Sequence, residues 1–214
     1  MRILLLSAHI DDADTGCGGS VARYAYEGNE IYYAVFTLAE ESLPADLPKD
    51  IMVKELEEAT RVLGIRPSGL IIKKYPVRRF PQYRQEILED MVQMNKEINP
   101  SLVFMPSKFD THQDHAVIAE EGFRAFKMSS ILGYELPWNN VGFNATSFIC
   151  LKECHLDRKI KALTCYRSQK LRSKMLERPV DNSSKRIRAW AEYRGMQIRE
   201  DFAEAFNILR WIVR

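Results

Sequence analysis

Two short polar clusters hold the residues best suited to chemistry in this chain of 214 residues. The first is Ala8-His9-Ile10-Asp11-Asp12, which follows the apolar run Ile3 to Leu6 and leads into Gly16-Cys17-Gly18-Gly19. The second is Asp110-Thr111-His112-Gln113-Asp114-His115, which follows the apolar run Leu102 to Met105. His9, Asp11 and Asp12 offer one imidazole and two carboxylates close together. Two metal ligands and a general base can be drawn from them if a second imidazole arrives from elsewhere, and His112 and His115 can supply it. Three of the four histidines thus lie at the ends of two apolar runs. The fourth, His155, precedes a helical stretch and reads as a surface or capping residue.

For the clusters to meet, both runs must be neighbouring strands whose carboxyl ends open on one crevice, where open α/β sheets bind ligands. The rest of the pattern agrees. Ile31 to Leu38 is an almost continuous apolar strand, and Leu70 to Ile72 and Leu102 to Met105 read as further strands. Helices are expected over Gly16 to Glu27, Asp50 to Leu63, Gln82 to Ile98 and His115 to Met128. Ala39 to Lys49 and Tyr75 to Pro81 read as loops. This alternation predicts a Rossmann-like, mostly parallel sheet with helices on both faces. Farther on, Ile131 to Leu136 and Thr146 to Leu151 read as strands. Leu156 to Tyr166 and Ser184 to Tyr193 read as helices, with Leu171 to Asn182 a basic connector between them. No repeat or flexible linker interrupts the chain, so residues 1–214 are expected to form a single domain.

Composition narrows the classes. The chain is 46% hydrophobic and 28% charged with a net charge of +2, which argues against a nucleic-acid or membrane-surface partner. No apolar run reaches the roughly 20 residues of a membrane span. Cys17, Cys150, Cys154 and Cys165 are scattered, as in a reduced cytoplasmic protein. The glycines at positions 16, 18 and 19 do not fit a dinucleotide fingerprint, and two carboxylates beside them would repel a pyrophosphate. Close packing of a helix on the sheet explains them better. A nucleotide-binding module and a metal-binding protein without catalysis remain the rival readings.

The segment Ala8-His9-Ile10-Asp11-Asp12 resembles the A-H-P-D-D motif of the PIG-L/LmbE-like zinc N-deacetylases, and His112-Gln113-Asp114-His115 resembles their H-x-D-H motif. Gly16 to Gly19, the charged helix Asp50 to Leu63, Ser168-Gln169 and Ala203-Glu204-Ala205-Phe206 extend the likeness over nearly the whole chain. The resemblance implies a hydrolase that removes the acetyl group of an N-acetylglucosamine-type sugar. Its ligands would be His9, Asp12 and His115, holding zinc or another divalent ion such as Fe2+. Asp11 would be the general base, and His112, once protonated, would serve the oxyanion or the leaving amine. Asp114 would orient and charge His112. Ile10 and Ala13 replace the family's proline and glutamate. Arg78 or Arg79, in the loop between Pro76 and Pro81, is expected to contact substrate, and Trp138 with Asn139 and Asn140 is expected at the rim. The basic residues Lys170, Arg172, Lys174, Arg178, Lys185, Arg186 and Arg188 would suit an anionic, nucleotide-linked or lipid-linked sugar, although a solvated face is their ordinary role. A homo-oligomer is compatible with all of this.

Overall fold

The computed structural model describes residues 1–42, 47–48, 50–175 and 183–213. Strands β1 (Arg2–Ser7), β2 (Glu30–Val35), β3 (Leu70–Ile72), β4 (Leu102–Pro106), β5 (Ser130–Tyr134), β6 (Ser147–Leu151) and β7 (Phe202–Arg210) form one sheet, ordered β3-β2-β1-β4-β5-β7-β6. The helices are α1 (Asp12–Tyr26), α2 (Ile51–Leu63), α3 (Arg84–Ile98), α4 (Gln113–Ala125), α5 (Glu153–Cys165), α6 (Arg167–Met175) and α7 (Ser184–Met196). The five strands from β3 to β5 run parallel, and β7 lies antiparallel to both β5 and β6.

The strands are apolar on both faces because both faces are covered. Along β1, Ile3 and Leu5 enter a core with α1, α2, α5 and α7, while Leu4 and Leu6 enter a second core with α3 and α4. This is the alternation of a pleated strand buried between two layers. Strand order reverses between β1 and β4, so the crevice expected for a ligand opens at their carboxyl ends. Both polar clusters lie there.

Three stretches differ from the sequence expectation. Helix α1 begins at Asp12, and the glycine stretch lies inside it, with non-helical backbone at Cys17 (φ −142°). A Cβ on Gly16 would come within 2.4 Å of the Tyr134 ring, and one on Gly19 within 2.5 Å of Leu151 Cδ1. The glycines therefore serve close packing on the sheet, and the nucleotide-cradle reading has no support in their placement. The segment expected as a connector is helical as far as Met175; residues 176–182, including Arg178, lie outside the described residues. Within the expected loop Ala39 to Lys49, Glu40–Ser42 forms a single 3-10 turn, and residues 43–46 and 49 are outside the description. Among the described residues no helix is long and apolar enough to cross a membrane.

The break at Cys17 divides α1 and frees backbone donors beyond it. Glu204 on β7 takes them up. Its carboxylate accepts from Gly19 N at 3.0 Å, from Ser20 N at 2.6 Å and from Ser20 Oγ at 2.6 Å, and it pairs with Lys159 Nζ at 2.6 Å. Glu55 serves α6 in the same way, accepting from Ser168 N at 3.0 Å and Ser168 Oγ at 2.6 Å. The Ser168 and Glu204 segments that suggested the family are thus architectural.

Candidate metal centre and active site

Beyond Ser7 the chain leaves the sheet. Ile10 fills the core with 1% of its surface exposed, and α1 starts two residues later. This short turn points His9 and Asp12 back over the strand ends. From the neighbouring strand, β4 gives way to Ser107 through Asp110, and α4 starts at Gln113 with His115 in its first turn. Three atoms converge. His9 Nδ1 lies 3.2 Å from Asp12 Oδ2, His115 Nε2 lies 3.2 Å from the same oxygen, and the two nitrogens are 3.0 Å apart.

The outer nitrogens are engaged. His9 Nε2 meets Asp114 Oδ2 at 3.0 Å, and His115 Nδ1 meets Asp110 Oδ2 at 2.7 Å. Each carboxylate fixes the ring proton on the far side and turns the other lone pair toward Asp12, the usual arrangement behind histidine ligands. Two lone pairs and a carboxylate oxygen 3.0–3.2 Å apart repel one another unless a cation or proton lies among them. A tetrahedral ion with bonds of about 2.0–2.1 Å needs donors about 3.3 Å apart, so the spacing fits such an ion closely. The electrostatics agree. Burial disfavours charge on both rings, yet Asp12 with Asp114 raises His9 to about 9, and Asp12 with Asp110 raises His115 to about 10. Burial would raise Asp12 as well, but His115 and His9 hold it well below the usual carboxylate range.

His112 also brings a donor atom within 4.8 Å of ligand atoms of His9 and His115. It stands apart from the tighter triangle because its Nδ1 accepts the Asp114 N–H at 3.2 Å, making it the N-cap of α4. The Asp114 carboxylate, expected to orient and charge His112, favours charge on that ring from nearby but makes its hydrogen bonds elsewhere. That carboxylate faces His9 and accepts from Arg78 N at 2.7 Å and Phe80 N at 3.3 Å. Burial, with His115 and His9 close by, lowers His112 to about 4, so the ring is neutral with its proton on Nε2. Asp110, for which no role was expected, holds His115 Nδ1 at 2.7 Å and accepts from the His112 backbone N–H at 2.9 Å. Its position at a strand end five residues before His115 was the available signal.

Asp11 is the half-buried residue before α1, and its carboxylate makes no capping bond. Arg78 and Arg79 have exposed side chains; Arg78 reaches the site through its backbone, in the left-handed region at φ 65°. Trp138 is 49% exposed on a loop tied to the second cluster, where Asn139 O accepts from Thr111 N at 3.1 Å and Thr111 Oγ1 at 2.9 Å. His155 is buried and caps α5, its Nδ1 accepting from Lys152 N at 3.1 Å. Lys185 and Arg186 are exposed, and Arg188 pairs with Glu153.

Fold and site together define an α/β hydrolase with a histidine-carboxylate centre, and the chain belongs to the PIG-L family of GlcNAc-PI de-N-acetylases, whose model matches residues 4–126. A relative in Escherichia coli K12, the uncharacterized deacetylase YaiS, is 29% identical over 78% of this chain and 90% of its own length. The 1D-myo-inositol 2-acetamido-2-deoxy-alpha-D-glucopyranoside deacetylase of Salinispora arenicola is 25% identical over 62% of this chain, which spans about half (53%) of that protein. In fold, the chain is similar to the N,N'-diacetylchitobiose deacetylase of Pyrococcus horikoshii, with a TM-score of 0.77 at 20% identity over 97% of this chain and 83% of that one.

Proposed function

We propose that this chain hydrolyses the acetamido group of an N-acetylglucosamine-type sugar conjugate, with a divalent cation, zinc in the first instance and Fe2+ as the alternative, held by His9, Asp12 and His115. The convergence of His9 Nδ1, Asp12 Oδ2 and His115 Nε2 within 3.0–3.2 Å carries this reading. Family membership and the activities named for the relatives support the substrate class. A divalent cation supplies Lewis acidity toward an amide carbonyl and toward water.

The chain's own groups supply the rest. The Asp11 carboxylate takes the proton of the water that attacks the carbonyl carbon. His112 presents Nε2–H to the developing oxyanion, since its Nδ1 is already committed to the Asp114 N–H. The C–N bond then breaks as Asp11 returns its proton to the departing nitrogen, giving acetate and a free amine. With His112 given to the oxyanion, both proton transfers fall to Asp11. Arg78 or Arg79 and Trp138 frame the sugar from the rim. The four cysteines are all free, which suits a cytoplasmic enzyme.

The experiment follows acetate release from free, nucleotide-linked and lipid-linked N-acetylglucosamine, with bound metal measured in parallel. Parent protein is expected to release acetate from at least one of them and to carry about one ion per chain. His115→Ala is expected to lose both. Metal-loaded parent that is inert on all three substrates would overturn the reaction, and a His115→Ala protein that keeps its metal would overturn the ligand set.

A further inference from the structure

We infer that the Ser7 hydroxyl is a positioning group for the metal centre, closing the turn that carries His9, Asp11 and Asp12. Ser7 is the last residue of β1 and is fully buried. Its hydroxyl donates to His9 O at 2.6 Å and accepts from Ala13 N at 3.1 Å. One oxygen atom thus joins the peptide that follows His9 to the peptide that follows Asp12; Asp11 and Asp12 leave the chain between them and His9 immediately before. The turn is further closed by His9 N, which donates to Asp12 Oδ2 at 2.7 Å.

Proton counting shows why the residue type matters. A hydroxyl has one proton and two lone pairs. The proton is spent on the His9 carbonyl and one lone pair on the Ala13 N–H. The Tyr33 hydroxyl lies 3.3 Å from both Ser7 Oγ and Ile10 O and is hydrogen-bonded to Asp14. Tyr33 and its partner Asp14 are both buried, so the Tyr33 proton is directed to a carboxylate in the interior. Alanine at position 7 would take away the one group that bridges a part-buried carbonyl and a buried amide, and each would have to find a new partner at the expense of the turn's geometry. The ligand triangle, with edges of 3.0–3.2 Å, tolerates little opening.

The inference rests on the proposed ligand set, and His115→Ala is the control that separates the two. Zn2+ and Co2+ affinities are measured by competition with a chelating dye, and the absorption spectrum of the Co2+-loaded protein is recorded, well below the unfolding temperature. Ser7→Ala is expected to weaken metal binding about 10–100-fold, as loss of other groups that orient ligands does, and to change the Co2+ spectrum. Ser7→Thr keeps the hydroxyl and is expected to restore affinity to near the parent value. Should Ser7→Ala fail to fold, Ser7→Cys keeps the volume with a weaker donor and is expected to lose affinity in the same direction. Parent-like affinity and spectrum in Ser7→Ala or Ser7→Cys would overturn the inference, as would a Ser7→Thr protein as weak as Ser7→Ala. Full metal retention by His115→Ala would instead strike the ligand set.

Discussion

Asp114 and Asp110 each orient one imidazole, which makes the two acids separable by experiment. Asp114→Asn removes the charge behind His9 while its single amide oxygen, placed as Oδ2, still accepts from Arg78 N and His9, and only the 3.3 Å bond from Phe80 N to Oδ1 is given up. It is expected to weaken metal affinity by roughly 10-fold, measured by chelator competition, with His112 still in place. Unchanged affinity together with a lower turnover would return Asp114 to His112. Asp11→Asn should behave in the opposite way, with normal metal content and a turnover reduced by about 10²–10⁴, as for loss of a general base. Near-parent turnover in that variant would end the assignment. The ligand candidates were legible in the sequence because imidazoles and carboxylates at two apolar-run ends have few other uses. The partner of Asp114 was not legible. Which ring it faces depends on where α4 starts and on a loop 36 residues earlier in the chain, whose Arg78 amide fixes its rotamer.

Helix α1 depends on distant residues. Its second half begins at Gly19 and Ser20, whose amides end on Glu204, and Glu204 is paired with Lys159, a lysine only 2% exposed. Glu204→Ala would leave a buried ammonium and two amides unmatched. Breaking one side of such a pair costs about 3–5 kcal/mol. Urea unfolding followed by circular dichroism should report a loss of that size, whereas an exposed pair such as Arg23–Glu27 should cost below about 1 kcal/mol. Little change in Glu204→Ala would mean that Lys159 finds water or another acceptor. Strands β1 to β6 and most helices could be read from periodicity, because burial on two faces leaves a continuous apolar signature; β7, Phe202–Arg210, had no such reading. The start of α1 could not, since glycines normally break helices and here are required by Tyr134 and Leu151. Helix α6 was hidden by its basic composition, and its first turn is held by Glu55, 113 residues away.

For the whole molecule, the ligands come from two places far apart in sequence, so bound metal should stabilise the entire fold. Metal at 100 times its dissociation constant contributes about 2.7 kcal/mol. In a domain of this size each kcal/mol moves the midpoint by roughly 2–4 °C. Chelation is therefore expected to lower the melting temperature by roughly 5–10 °C in the parent and to leave His115→Ala unmoved, as scanning calorimetry can record. An equal shift in both would place the ion elsewhere. The order of the sheet has a consequence for biosynthesis. Strand β7, last in sequence, lies between β5 and β6, and it carries the Glu204 that steadies α1. A nascent chain that has emerged from the ribosome through α4 already holds every proposed ligand. Its sheet ends at β4, β5 to β7 have yet to emerge, and the helix behind Asp12 lacks the Glu204 carboxylate. Metal loading should therefore trail translation and wait for the carboxyl-terminal strand.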